Sequence, residues 1–202
     1  MLRLRAAMPP FDDTRVAGQA ARLLALVEAT GAWRPQKVVG ELDLELFQDA
    51  LDSLVPFGVA RSAAFETEAY AGKPAEDFAT WIGRLREVVA SSPMPEVELP
   101  KLEELFRTDT VAELLGVGAS TLRRYLAHER QVPDDVARHA HVVARIVGDL
   151  AGFYNERGIR QWFTRPRSQL GDKTPAEVLR RAWETDEADA GPVLELAAEL
   201  TG

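Results

Sequence analysis

The residue types that most often catalyse reactions or hold metals are sparse in this chain. It has three histidines and no cysteine, which removes thiolate nucleophiles and cysteine-based zinc sites. His139 and His141 are separated by a single residue, and His128 lies further upstream. The chain therefore lacks the His-x-x-x-His spacing of a helical zinc site. It also lacks a glycine-rich phosphate loop and a Gly-x-Ser-x-Gly elbow. We therefore expect that the chain is not an enzyme and that it has no catalytic residue, no metal site and no cofactor.

A second set of side chains has the chemistry of nucleic-acid recognition. Residues 110–126 have the spacing of a helix-turn-helix, with a small Ala112 where two helices cross and Gly116 at the turn. If the second helix begins near Ala119, its first turns expose hydroxyl and guanidinium groups of the kind that reach base edges and phosphates. The residues just after that helix would lie near the DNA backbone. The predicted DNA-binding residues are Ser120, Thr121, Arg123, Arg124, His128 and Arg130.

Residues 158–179 carry the clearest signals in the chain for the end of one helix and the start of the next. An apolar cluster of isoleucine, tryptophan and phenylalanine ends at Pro166, where the fixed φ of proline forces the chain to turn. A new helix then begins at Thr174, whose hydroxyl can accept a hydrogen bond from an unpaired amide of the first turn. Pro175 suits the first helical position and Glu177 completes a capping box. On physical grounds alone this is a corner between two helices, packed for stability.

The same stretch resembles the C-terminal toxin-binding region of the Xre/MbcA/ParS antitoxin family. In that family a Gly-Ile-x-x-Trp run, a proline and a Leu-Gly turn lead into a Thr/Ser-Pro-x-x-x-Leu helix. Two positions depart from the pattern, since Arg167 stands in place of asparagine and Asp172 in place of a frequent second glycine. Together with the helix-turn-helix upstream, the resemblance covers roughly residues 100–190. The matching residues are Gly158, Ile159, Trp162, Pro166, Leu170, Gly171, Thr174, Pro175 and Leu179.

The resemblance implies an antitoxin of a type II toxin–antitoxin system. Such a protein would bind a RES-type or ParT-like toxin that uses NAD, block access of substrate to it, and repress its own operon as a homodimer on operator DNA. Aromatic and arginine side chains carry most of the energy of protein interfaces. The expected toxin-binding residues are therefore Arg160, Trp162, Phe163, Arg165 and Arg167, although Trp162 fits a core position equally well.

Charge is unevenly distributed along the chain. The net charge of −8 argues against nucleic acid, because neutralisation of phosphates supplies most non-specific affinity. Between Arg107 and Arg181, however, basic residues outnumber acidic ones, and the segments on either side are acidic. A basic middle of this kind can bind DNA locally. The absence of cysteine, of a long apolar run and of a signal peptide makes the cytoplasm the simplest location.

The elements that must position these residues are predicted to be helices throughout. The N-terminal half shows apolar residues at helical spacing and no alternating β pattern, residues 1–13 look frayed, and the proline-rich stretch 91–100 is the best linker. A long helix opened by Pro133 carries an apolar seam that could join the two motifs or form a dimer. The expected organisation is all-α, with a helical N-terminal region of unknown role (1–95), a helix-turn-helix region (96–142) and a toxin-binding domain (143–202).

Two functions of other classes remain open. The chain could be a stand-alone DNA-binding regulator whose N-terminal region senses a ligand or partner, and whose toxin-binding-like domain only dimerises. It could also be a pure interaction protein in which Arg123 and Arg124 form an ordinary solvated helix face, as the acidic total charge suggests. A steep salt dependence of DNA binding would distinguish these two.

Overall fold

The computed structural model describes residues 2–37 and 39–201, including their side chains except those of residues 64, 65 and 201. The chain divides into two compact units, residues 1–92 and residues 93–202. Eleven α-helices and one two-stranded sheet lie within the described residues, so the predicted all-α class is confirmed for all but two short strands. None of the described helices is both long enough and apolar enough to cross a membrane.

The first unit opens with a strand, a helix and a second strand, followed by three further helices. The strands pair in parallel, with a bulge between Leu4 and Ala6. The expectation of a frayed, strand-free segment over residues 1–13 is therefore wrong. Both strands are short and mostly exposed, so they carry no alternating apolar pattern that would reveal them. The elements are β1 (Arg3–Ala7), α1 (Thr14–Thr30), β2 (Val39–Leu42), α2 (Leu44–Asp52), α3 (Ala63–Ala71) and α4 (Ala75–Ala90).

An aromatic cluster forms the centre of the first unit, where α1 packs along α4. The ring of Phe11 lies 5.1 Å from that of Phe47 and 5.5 Å from that of Phe78, centre to centre. Trp81 stacks on Phe78 at 5.9 Å. All four side chains are buried, and large aromatic rings dominate the energetics of such cores. Residues 1–92 therefore have a hydrophobic core of their own.

The second unit is built around one long central helix. This helix, α8, contacts α5, α6, α9 and α11. The apolar seam predicted on it is buried within the unit, because Ala140, Val143 and Leu150 are fully inaccessible. The seam therefore joins elements of one chain, and the predicted boundary between residues 142 and 143 falls inside α8. The elements are α5 (Pro95–Phe106), α6 (Thr108–Leu115), α7 (Ala119–Leu126), α8 (Asp134–Ala151), α9 (Glu156–Thr164), α10 (Pro175–Glu184) and α11 (Gly191–Ala198).

The predicted linker over residues 91–100 is largely helical instead. Pro95 occupies the first turn of α5, where no amide donor is missed, and Pro100 lies on an exposed side of the same helix. Met94 and Leu99 are buried, each 2% exposed. The prolines predicted a linker, but two of them lie in α5, which packs on α8.

Candidate functional site

The helix pair predicted as a helix-turn-helix is present as α6 and α7, joined by residues 116–118. Gly116 ends α6 with a φ of 69°, a left-handed conformation that glycine adopts without steric cost. The amide of Val117 then donates to the carbonyl of Ala112 at 2.9 Å, which closes the turn. Ala112 and Leu122 are 3% and 0% exposed, as close helix crossing requires. The local geometry at this turn therefore follows from these residue types.

Most of the predicted DNA-binding side chains on α7 are accessible. Ser120, Arg123 and Arg124 are exposed and Thr121 is half-buried, whereas Leu122 faces the interior of the unit. Arg123 Nη2 lies 3.6 Å from Asp109 Oδ1 at the start of α6. Both groups are largely solvated, so this ion pair contributes little to stability and leaves Arg123 available to another anion.

The predicted contacts beyond α7 are accessible as well. His128 has a φ of 55° and donates its amide to the carbonyl of Tyr125 at 3.0 Å, which reverses the chain directly after α7. The guanidinium of Arg130 lies 5.8 Å from the centre of the Tyr125 ring. His128 and Arg130 are both exposed. A polar and cationic surface thus continues from α7 into the segment that follows it.

Two aromatic side chains from other helices hold the turn between α6 and α7. Trp183 on α10 donates from Nε1 to the carbonyl of Leu114 at 2.7 Å, and Nδ1 of His139 lies 3.3 Å from the carbonyl of Leu115. The two rings stack on each other 3.9 Å apart, tilted by 13°. The last carbonyls of a helix have no partner within it, so these contacts satisfy groups that the helix pair leaves open.

Sequence reasoning missed the role of Trp183 and His139. The apolar spacing from Leu179 to Trp183 places both on one side of α10, which is the signal that could have indicated the partial burial of Trp183. The partner of His139 was not predictable, because Leu115 is remote in sequence. Among the described residues, no group of three or more histidine, aspartate or glutamate side chains could hold a metal ion.

An exposed ion pair anchors the segment after α10. Arg138 on α8 forms a two-pronged contact with Glu187, at 3.0 Å from Nε to Oε2 and 2.9 Å from Nη2 to Oε1. This contact lowers the pKa of Glu187 and raises that of Arg138. Nε2 of His139 lies 3.5 Å from the same carboxylate. The ion pair therefore ties the acidic C-terminal segment to the face of α8 that supports the helix pair.

The Gly-Ile-x-x-Trp run forms α9, with its aromatic residues inside. Asn155 caps the helix by accepting the amide of Gly158 at 2.9 Å. A Cβ on Gly158 would lie 3.0 Å from Tyr154, which explains the glycine. Trp162 and Phe163 are only 2% and 1% exposed. The prediction that these two aromatics contact a toxin is thus corrected: they are core residues, and neither is accessible to a partner in this structure.

The three arginines predicted to bind a toxin have different surroundings. Arg160 is exposed and donates from Nη1 to the carbonyl of Leu105 at 2.9 Å. Arg165 is exposed at the end of α9. Arg167 is half-buried, and its guanidinium lies 5.3 Å from the centre of the Trp162 ring. A partner can therefore reach Arg160 and Arg165 freely, while Arg167 mainly packs on the core.

The turn between α9 and α10 explains one departure from the family pattern. Asp172, which stands where a second glycine is frequent, has a φ of 61° directly after Gly171 at 65°. Aspartate tolerates this left-handed region better than most residues. The predicted capping box follows and is confirmed, since Thr174 accepts the amide of Glu177 at 3.1 Å and Glu177 accepts that of Thr174 at 2.8 Å. These bonds lower the pKa of Glu177.

A buried ionisable pair lies between α5 and α8. Glu98 is fully inaccessible, and its Oε1 lies 2.6 Å from Nδ1 of His141. Burial raises the pKa of Glu98, although the hydrogen bond and charge of His141 act in the opposite direction. The pair is enclosed by the helices that carry it, so its position indicates a structural role.

Comparisons with known proteins give no relative for this chain. No family model matches it, and no match was found among curated proteins or solved structures.

Proposed function

We propose that the chain is the antitoxin of a type II toxin–antitoxin pair, and that its second unit binds both operator DNA and a toxin that uses NAD. The observation that carries the proposal is the assembly of the motif residues. Gly158, Trp162 and the capping box at Thr174 each have a defined role in one helical corner, and α10 from that corner packs on α6. The resemblance supplies the identity of the partner. The structure supports the proposal through the packing of this corner.

The toxin contact in this proposal lies on the outside of the corner. Trp162 and Phe163 hold the corner together from within, so exposed arginines must carry the contact. Arg165, directly after α9, and both Arg180 and Arg181 on α10 are exposed. Guanidinium groups favour carboxylates on a partner, because they can donate two parallel hydrogen bonds. The expected partner surface is therefore acidic.

The DNA contact in this proposal uses α7 as a recognition helix in the major groove. Ser120, Arg123 and Arg124 would reach bases and phosphates, as exposed residues of such helices do. A homodimer would read two half-sites about 34–36 Å apart, which is one helical turn of DNA. Repression of its own operon then follows from occupancy of the operator.

Co-purification tests the toxin half of the proposal. The tagged full chain is co-expressed with the product of the adjacent gene, and NAD consumption by that product is measured with and without the chain. We expect a stable complex whose partner consumes NAD only after release. Replacing Arg165, Arg180 and Arg181 together with alanine should weaken the complex, because the mutant loses the exposed guanidinium groups of the corner.

The matched control for that triple variant is Arg84→Ala, which removes an exposed arginine from the first unit. It should leave the complex intact. A partner that neither binds the chain nor is inhibited by it would contradict the antitoxin function.

A stand-alone regulator is the second candidate. It is favoured by the burial of Trp162 and Phe163, which gives the motif a purely structural use. It is also favoured by a polar cavity of about 530 Å³ in the first unit, whose lining has two basic residues, Arg5 and Lys37, and four acidic ones, Glu41, Asp43, Glu45 and Asp49. Operator binding that persists without any adjacent-gene partner, and that changes when a small cationic or zwitterionic metabolite is added, would support this candidate.

A further inference from the structure

Arg107, at the junction of α5 and α6, has a backbone conformation that does not suit its residue type. Its φ is 71° and its ψ is 155°, a region almost confined to glycine. Its amide donates to the carbonyl of Glu103 at 2.8 Å, and its carbonyl accepts the amide of Val111 at 3.1 Å. Arg107 thus ends one helix and begins the next, while its side chain is exposed. Glycine would serve this turn better, so the fold alone does not explain the arginine.

Two other exposed arginines flank Arg107. Arg160 on α9 donates to the carbonyl of Leu105 at 2.9 Å, and Arg123 on α7 lies 3.6 Å from the carboxylate of Asp109. Leu105 and Asp109 lie on either side of Arg107 in the chain, at most about 14 Å apart even if that segment were extended. Arg123 and Arg160 therefore both contact the short segment 105–109 that carries Arg107, and all three arginines are exposed.

We propose that Arg123, Arg107 and Arg160, here called the arginine strip, contact successive phosphates of double-stranded DNA when α7 lies in the major groove. This inference rests on the DNA-binding half of the proposed function. In a helix-turn-helix complex the first helix crosses the DNA backbone, and Arg107 opens that helix here. Each strand of B-DNA carries one phosphate per about 3.4 Å along the axis, so arginines spread over a segment of this size can reach more than one phosphate.

In this proposal Arg160 contacts DNA and not the toxin. Its present partners are the carbonyl of Leu105 and the carboxylate of Glu156, whose Oε2 is 3.7 Å from Nη1. Arg123 is similarly paired with Asp109. These exposed ion pairs are weak and hold the arginines along the surface, where phosphates can replace the carboxylates. Arginine rather than lysine suits this role because its planar fork binds phosphate with two hydrogen bonds.

Salt-dependent DNA binding by the full chain tests the proposal. The probe is a fluorescent duplex copied from the region upstream of the gene, and its anisotropy gives the association constant over a salt series. The slope of log K against log salt is negative, and each lost phosphate contact reduces its magnitude by about 0.9. We expect this reduction for Arg107→Gly and for Arg160→Met, and no reduction for Arg160→Lys, which keeps the charge. Arg84→Ala, which removes an exposed arginine from the first unit, is the matched control and should keep the wild-type slope.

Thermal unfolding separates binding from folding at Arg107. Arg107→Gly should unfold at the same or a higher temperature than the wild type, because glycine fits the left-handed φ. Weaker DNA binding by an equally stable variant cannot be attributed to misfolding. Wild-type slopes for both Arg107→Gly and Arg160→Met would overturn the proposal.

Two other outcomes would also overturn the proposal, and they have different consequences for the proposed function. A wild-type chain that binds no duplex would remove the DNA half of the proposed function as well, while co-purification with the toxin would still stand. If Arg160→Met kept the wild-type slope but lost the toxin, that end of the strip would be a protein-binding surface. Loss of toxin binding alone, in the triple arginine variant, leaves the strip unaffected.

Discussion

Glu98 offers the sharpest test of how the second unit is held together. Its Oε1 is bonded to Nδ1 of His141 at 2.6 Å, and its Oε2 accepts the amide of Met94 at 3.1 Å. Glu98→Ala removes both partners. Glu98→Gln keeps an acceptor for the amide and offers a donor to the imidazole, while it deletes the charge. The two variants therefore separate the loss of hydrogen bonds from the loss of a buried carboxylate.

The expected magnitudes differ between the two variants. A buried polar group left without its partner costs about 1–3 kcal/mol. Glu98→Ala leaves two such groups, Met94 N–H and His141 Nδ1, so we expect a loss of about 2–6 kcal/mol in the free energy of unfolding. A typical domain has a stability of only about 5–15 kcal/mol, so this loss is severe. Glu98→Gln should cost less than about 2 kcal/mol, because both contacts can be kept.

The pH dependence supplies a second criterion. Burial raises the pKa of Glu98 above its ordinary value of 4.5. A group whose pKa is raised by folding stabilises the folded state fully below its unfolded pKa, and this contribution is lost as the pH rises through the folded pKa. The wild type should therefore lose stability relative to Glu98→Gln as the pH rises above 4.5. The difference should widen until the pH passes the raised pKa.

Amide hydrogen exchange in α5 and α8 measures this effect in the second unit alone. Opening free energies at about pH 5 and about pH 8, corrected for intrinsic exchange rates, report local stability. Glu104→Gln is the control, because it removes a mostly exposed carboxylate from the same helix. Equal losses for Glu98→Ala and Glu98→Gln would refute the reasoning. So would a difference between wild type and Glu98→Gln that is the same at both pH values.

Three further substitutions test the turn and the caps of the second unit, and urea denaturation measures each change in stability. Gly116→Ala should destabilise the unit by about 1–2 kcal/mol, because a left-handed φ is costly for a residue with a Cβ. Trp183→Phe should cost about 1 kcal/mol through loss of the bond to Leu114, and should speed amide exchange at the end of α6. Thr174→Ala should cost about 1 kcal/mol as a lost N-cap. The same change should raise the pKa of Glu177 only part of the way toward its ordinary value, which carboxyl NMR titration checks, because alanine keeps the backbone amide that causes most of the lowering and removes only the hydroxyl.

Local signals explain what the sequence could predict. The turn at Gly116 and the start of α10 at Thr174 depend on residues only a few positions apart, and each has one dominant physical reading. Ser120, Arg123 and Arg124 of α7 lie on an exposed face as expected, whereas Thr121 is half-buried beside Leu122, which faces the interior. Elements of this kind follow from capping, left-handed turns and helical periodicity.

The predictions that failed depended on contacts between distant parts of the chain. β1 and β2 pair across the whole of α1, and their few residues show no pattern of their own. Trp162 and Phe163 were assigned to an interface because aromatic side chains dominate both interfaces and cores. Only the packing of α9 on the rest of the unit, including the edge-to-face contact of Phe163 with Phe106 at 5.1 Å, decides between these two uses.

The same long-range packing links the two proposed binding surfaces of the second unit. The carbonyls that end α6 are satisfied from outside the helix pair, by Trp183 on α10 and His139 on α8. The turn that orients α7 therefore depends on the position of α10, the helix that carries the proposed toxin contact. A partner that displaces Trp183 would leave the carbonyl of Leu114 unpaired and alter α7 in the same step. Because coupling between two binding equilibria is reciprocal, DNA held by α7 would then change the affinity for that partner by the same factor.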